Sequence, residues 1–208
     1  MARKSQRSPL ALAVLALLYE APMHPYRMQR LIKERGKDEV INVRQRASLY
    51  QTIERLLRVG LIRVRETERD ENRPERTIYE LTDEGRESAL AWMRDVLSTP
   101  GNEFPEFPAA ISFLPLLEPS DAMKQLGARA AALEAERARV EGLIAPVKET
   151  LPRLFLLESE YALAMLAAEL EWVRTLVADL KAGRVTWSEE WLRQFASGFQ
   201  NEEGSNPS

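Results

Sequence analysis

Apolar residues recur with a helical period through the first sixty positions, alternate like a strand near residue 61, and then return to a helical period. The first run, Leu10 to Tyr19, follows Ser8, a side chain that can cap a helix, and Pro9, which suits a helix's first position. This predicts a helix to about Glu20, broken by Ala21-Pro22-Met23. His24 and Pro25 open a second helix with Tyr26, Met28, Leu31 and Ile32 as its apolar stripe and Gly36 at its end. A polar connection, Lys37 to Gln45, follows. Ser48-Leu-Tyr-Gln51 has capping-box spacing and opens a third helix, with Arg46 an alternative start. Leu49, Ile53, Leu56 and Leu57 fall at i, i+4, i+7 and i+8, one buried face, and Gly60 follows where a left-handed residue is wanted. The opposite face carries Tyr50, Gln51, Glu54, Arg55 and Arg58.

The period then drops to two. Leu61 to Thr67 alternates and reads as a strand, Arg69 to Glu75 as a polar turn, and Arg76 to Leu81 as the returning strand. Thr82 or Asp83 can cap a fourth helix whose apolar residues are Leu90, Met93 and Leu97. Thr99 to Pro108 is rich in proline. Beyond it, Ser120 can cap a helix running to about Val147, and Pro152 opens a longer one with the stripe Leu154, Leu157, Tyr161, Met165, Ala168, Trp172, Leu176 and Leu180. Gly183 stops that helix, and Thr186-Trp-Ser-Glu189 is a second capping box before Trp191, Leu192 and Phe195.

The predicted fold is mostly α. A winged helix-turn-helix of three helices plus a β-hairpin occupies residues 1–98, a Pro-rich connection 99–118, an α-helical dimerisation and effector domain 119–200, and a disordered tail 201–208. The apolar stripe after Pro152 is broader than its partner helices can cover, which suggests a seam against a second chain.

Arg3, Lys4 and Arg7 followed by an apolar run have the outline of a signal peptide. The run is too short to span a bilayer, and Tyr19-Glu20-Ala21 places a bulky ring where a cleavage site needs a small residue. A buried helix accounts for the same residues. No other stretch is apolar for long enough, so a cytoplasmic protein without membrane contact is expected.

Composition narrows the chemistry. The 208 residues contain no cysteine and one histidine, His24. Thiol nucleophiles, zinc-thiolate sites, iron–sulfur clusters and His-rich metal sites are excluded, and a Ser-His-Asp arrangement would rest on that one histidine. No cofactor motif is present. Glu158, Glu160, Glu169 and Glu171 resemble paired catalytic carboxylates only superficially and read as a solvated helix face. No enzyme is expected. The net charge of −3 hides an asymmetry: residues 1–95 hold 19 basic and 15 acidic side chains, whereas the remainder is strongly acidic. The first half is the one suited to a polyanion.

Helix and hairpin together fit DNA. A helix enters the major groove and meets base edges, while arginines on a hairpin meet backbone phosphates. The candidate contacts are Arg46, Ser48, Tyr50, Gln51 and Arg55 on the third helix, Arg73 and Arg76 in the hairpin, and Lys4 in a basic N-terminal arm with Arg3 and Arg7. Glu54, Asp70, Glu71 and Glu75 oppose phosphate at the same surfaces. His24 reads as a helix cap or packing residue, and Tyr26 as core.

Taken in order, Pro22-Met-His-Pro-Tyr26, Ser48-Leu-Tyr50 with Ile53, Leu56 and Gly60-Leu-Ile62, Asn72-Arg-Pro74, and Tyr79-Glu-Leu-Thr-Asp-Glu-Gly85 resemble the PadR family of bacterial transcriptional regulators. The resemblance covers roughly residues 8–95, with Pro25 standing where the family pattern has Gly. The helical second half is similar, more loosely, to the larger-tailed subgroup. The resemblance implies DNA contact by Ser48-Leu-Tyr50 and by Asn72 to Arg76, a homodimer held by C-terminal helices, an inverted-repeat operator on double-stranded DNA, and repression relieved by a small molecule. Tyr161 and Trp172 are the candidates for lining a cavity for a small aromatic or apolar effector, with core or dimer seam as their plainer role. The competing reading is a winged-helix protein-interaction module without DNA binding; the arginines and Gln51 on the third helix are what such a module would not need.

Overall fold

The computed structural model describes residues 7–41, 46–70, 73–101 and 104–195. It forms two compact units, Met1–Asn102 and Glu103–Ser208. Lys4 and Arg3 of the predicted basic arm, and the tail 201–208, lie outside the described residues.

The first unit begins with α1, Pro9–Glu20, capped by Ser8, whose hydroxyl accepts from the Ala11 N–H. α2, Pro25–Glu34, is capped by His24: its Nδ1 accepts the Arg27 N–H at 3.1 Å, so the chain's one histidine serves as a helix cap. Gly36 takes the left-handed conformation that ends the helix. α3 spans Arg46–Arg58. Leu49, Ile53 and Leu56 are buried beneath it against Val14 and Leu15 of α1 and Met28 and Ile32 of α2. Gly60, again left-handed, turns the chain into the hairpin.

The hairpin is longer than the alternation predicts. β1, Ile62–Asp70, and β2, Arg73–Leu81, pair antiparallel, so most of the stretch expected as a polar turn is strand. The register sets Glu68 opposite Arg76 and Asp70 opposite Arg73, residue types of unlike charge at paired positions, an order that favours this antiparallel register. Residues 69, 70 and 73–75 continue the two strands. At the other end, Met23 and Tyr79 exchange both backbone hydrogen bonds at 3.1 Å, tying the α1–α2 connection to β2.

Thr82 caps α4, Asp83–Ser98. The buried positions of α4 are Gly85, Ala89 and Trp92, whereas Leu90, Met93, Val96 and Leu97 are exposed. The phase of this helix is therefore set by Gly85, which seats it against Leu61, and not by its largest aliphatic side chains. Tyr26, expected in the core, is 59% exposed; Pro25 and Met28 take the buried positions of α2.

In the second unit, residues 99–118 are not a bare connection. They contain α5, Glu106–Ser112, whose Phe107 and Ile111 pack against the unit's core. α6 spans Pro119–Ile144, with Pro119 rather than Ser120 starting it, and packs along α7, Leu157–Lys181. A single 3-10 turn, Arg153–Phe155, separates Pro152 from α7, so the long helix starts later than proline placement predicts. Leu126 of α6 and Val173 and Leu180 of α7 form the buried centre. Arg129 Nε donates to Glu169 at 2.6 Å and Arg174 to Glu134 at 2.9 Å across the two helices. Trp187 donates its indole N–H to the Leu117 carbonyl at 2.9 Å. Ser188, not Thr186, accepts the Trp191 N–H, and residues 189–195 are helical.

The stripe predicted along α7 is largely the side its own chain leaves open. Leu157, Tyr161, Met165 and Trp172 are exposed, while Leu170, Val173 and Leu180, roughly 130° round the helix, are buried. Among the described residues, no helix is long and apolar enough to cross a membrane.

Candidate nucleic-acid interface

α3 divides its residues by period. With Leu49, Ile53 and Leu56 anchored in the core, Tyr50, Gln51, Glu54 and Arg58 project outward, and Tyr50 is 50% exposed. Ser48 lies inside the helix rather than at its cap. Its carbonyl accepts the Thr52 hydroxyl at 2.8 Å, which satisfies the one buried polar side chain described. Arg46 is the first residue of α3; its side chain lies outside the described residues.

Arg55 departs from the open face. It is half-buried, and its Nη2 donates to Ser8 Oγ at 3.3 Å, at the start of α1. Its Nε is buried and has no hydrogen-bond partner among the described residues. Sequence periodicity places Arg55 beside Arg58; only the packing of α1 across α3 turns it. The same packing gives Ser8 a second neighbour, which sequence reading missed because 47 positions separate the two.

The wing presents mixed charge. Arg63 Nε donates to Glu80 at 2.6 Å, and Arg65 lies 4.0 Å from the same carboxylate. Arg73 and Arg76 sit on β2, and only their backbone positions, opposite Asp70 and Glu68, are described. Tyr79, at the wing's base, has its phenol pushed upward by burial first, with smaller contributions from Tyr50 and Glu54 against a hydrogen bond from Thr77. The phenol remains protonated and able to donate. Arg7, expected in the basic N-terminal arm, is instead held against α4: it pairs with Asp95, and its guanidinium lies 5.8 Å from the Trp92 ring centre.

In the second unit, Tyr161 and Trp172 do not meet. Eleven residues of helix set them about 16 Å apart along one face. Trp172 stands edge-on to Phe107 at 6.1 Å. Phe107 in turn lines an apolar cavity of about 620 Å³ between α5 and α6, with Ile111, Phe113, Leu126 and, as its polar members, Gln125 and Arg129. The Arg129 guanidinium lies 3.5 Å from the Phe107 ring centre. Tyr161 is not part of that cavity.

Residues 14–90 match the family model described as the Transcriptional regulator PadR-like family. The fold is shared with solved structures at low identity. Bacillus subtilis PadR in complex with operator DNA aligns with a TM-score of 0.66 at 19% identity, over 84% of this chain and 98% of that one. Bacillus subtilis PadR in complex with p-coumaric acid aligns at 0.64 and 20%, over 83% and 98%. The Vibrio cholerae virulence activator AphA aligns at 0.64 and 17%, again over 83% and 98%. A search of curated proteins finds no match.

Proposed function

We propose, on the premise that residues 14–90 form a domain of the PadR-like family of transcriptional regulators, that this chain is a cytoplasmic, homodimeric, sequence-specific DNA-binding repressor. The observation that carries the reading is the outward face of α3: Tyr50 and Gln51 stand free on a helix anchored by Leu49, Ile53 and Leu56, beside a two-stranded wing. A helix so held enters the major groove with its N-terminal half against base edges, and the wing runs along the backbone. The operator complex of a protein with the same fold supports this use of the surface. Arg46, Ser48, Tyr50 and Gln51 are assigned to the groove, and Arg73, Arg76 and Lys4 to phosphates.

Dimerisation is assigned to the second unit, through the open apolar side of α7. A dimer places two recognition helices about one helical turn of DNA apart, so the operator is an inverted repeat. Relief of repression is assigned to a small aromatic or apolar effector. The p-coumaric acid complex of Bacillus subtilis PadR supports the chemical class. The cavity beside Trp172 has the size and apolar lining for such a molecule.

Selection from random duplexes tests the reading. An inverted repeat is expected, with affinity that falls steeply with salt, at a log–log slope on the order of −4 to −7 for about 4–8 neutralised phosphates per dimer. Failure to enrich any sequence, with only protein partners captured, returns the interaction-module reading. Gln51→Ala is expected to cost about 1–3 kcal/mol on the selected operator and to relax specificity at one base pair of each half-site. Equal weakening on operator and unrelated DNA removes Gln51 from the base-reading set.

A further inference from the structure

We infer that the start of α1 and the Arg55 side chain of α3 form a phosphate clamp that grips one DNA backbone phosphodiester per half-site. The inference rests on the DNA-binding reading above and moves Arg55 from the groove face to the backbone.

Ser8, Pro9, Leu10, Val40, Ser48, Gln51, Thr52 and Arg55 enclose an open pocket of about 440 Å³. Among the described residues no carboxylate lines it, and Arg55 is the one charge. The guanidinium is incompletely satisfied by the protein: one hydrogen bond, at 3.3 Å, reaches Ser8 Oγ, and the buried Nε has no partner among the described residues. An ionised group in that state favours an incoming anion, and a guanidinium fork suits phosphate best. Ser8 is already arranged for one. Its oxygen accepts from both Ala11 N–H and Arg55 Nη2, which leaves its own hydroxyl hydrogen to donate outward. Leu10 adds a first-turn N–H that has no carbonyl of its own helix to meet, and the dipole of the twelve-residue α1 favours negative charge at the same place.

The pocket shares Ser48 and Gln51 with the N-terminal half of α3. When that half of the helix lies in the major groove, a strand of phosphates runs along each rim of the groove, within reach of the neighbouring α1 start. A backbone phosphodiester is therefore the occupant, in preference to a free anion. The contact carries no sequence information and fixes how deeply and in what register α3 sits.

The test uses Ser8→Asp and Arg55→Gln in the full chain, with the selected operator, an unrelated duplex, and operators carrying a single neutral methylphosphonate at each backbone position. Aspartate caps a helix as well as serine does, so Ser8→Asp is expected to keep the wild-type melting temperature while placing a carboxylate in the clamp. Both variants are expected to bind operator and unrelated DNA about tenfold more weakly in equal proportion, with the salt slope flatter by roughly 2 per dimer. Wild type is expected to lose affinity at one methylphosphonate position in each half-site where Arg55→Gln does not. Unchanged affinity in a folded Ser8→Asp chain overturns the clamp, as does an Arg55→Gln chain with altered base preference and an unaltered slope. Inorganic phosphate that raises the melting temperature of wild type but not of Arg55→Gln, with DNA binding equal in the two, makes the pocket a free-anion site and overturns the backbone assignment. A wild-type chain that binds no duplex at all overturns the DNA reading itself, and the clamp with it.

Discussion

A chain ended at Gly101 is expected to fold, to sediment as a monomer, and to bind the operator about tenfold more weakly or worse, because a second half-site is no longer held at high effective concentration. Folding is expected because the first unit has its own core: Val14, Leu15, Met28, Ile53, Leu56 and Ile62 are all nearly inaccessible within it. Loss of the dimer is expected because the truncation removes the open side of α7. There Tyr161 is 69% and Trp172 47% exposed, with Leu157 and Met165 beside them. A helix that is apolar on two sides, with its own chain covering one, is stable in water when a second chain covers the other. The first unit has a smaller open surface of its own, Leu90, Met93, Val96 and Leu97 on α4. Association through it in the truncated chain would show as a mass that rises with concentration, against the concentration-independent monomer expected. A full-length chain with Tyr161→Glu and Met165→Glu separates the two surfaces, because it keeps α4 intact and should still be monomeric. A truncated protein that remains a tight dimer and binds DNA as before refutes the assignment of dimerisation to α7.

What could be read from the sequence was what local chemistry decides. Ser8 with Pro9, His24 with Pro25, and the glycines at 36, 60 and 183 mark helix ends through capping and positive φ, and each stands where it was expected. The buried face of α3 followed from spacing alone, and with it the exposure of Tyr50 and Gln51. What was not legible depends on a neighbour distant in sequence. Arg55 shares the period of the open face but is turned by α1. Arg7 belongs to a basic arm by composition but is captured by Trp92 and Asp95. The wing outruns its alternating core, in a register that sets Glu68 opposite Arg76 and Asp70 opposite Arg73. Tyr161 and Trp172 share a stripe, and the stripe's length keeps them apart.

Gly85→Ala is expected to be the most damaging single substitution in the first unit, although helix propensity alone predicts the reverse. Alanine in place of glycine within a helix stabilises by roughly 1 kcal/mol where nothing else intervenes. At Gly85 something does: an added Cβ would stand 1.9 Å from the Leu61 carbonyl oxygen and 2.9 Å from both the Leu61 carbonyl carbon and Leu81 Cδ1. Two of those atoms are backbone, and they are fixed. The Thr82 N–H donates to the Leu61 oxygen at 3.2 Å, and the Thr82 hydroxyl lies 2.7 Å from the Gly60 oxygen and 3.0 Å from that of Leu61 while accepting the Gly85 N–H. One junction thus joins the end of α3, the start of β1 and the cap of α4. Relieving the clash means moving α4 off Leu61, which opens the seat of Ala89 and Trp92 and frees the base of the wing. The expected loss is about 4 kcal/mol, at the exceptional end for a point substitution. For a unit of this size it lowers the melting temperature by roughly 20 °C. Gly127→Ala and Gly142→Ala are the controls. Both lie within α6 with nothing inside 4 Å of an added Cβ, so each is expected to stabilise by about 1 kcal/mol in urea unfolding. If Gly85→Ala behaves like these two, the close approach to Leu61 is not what holds the wing to the helices.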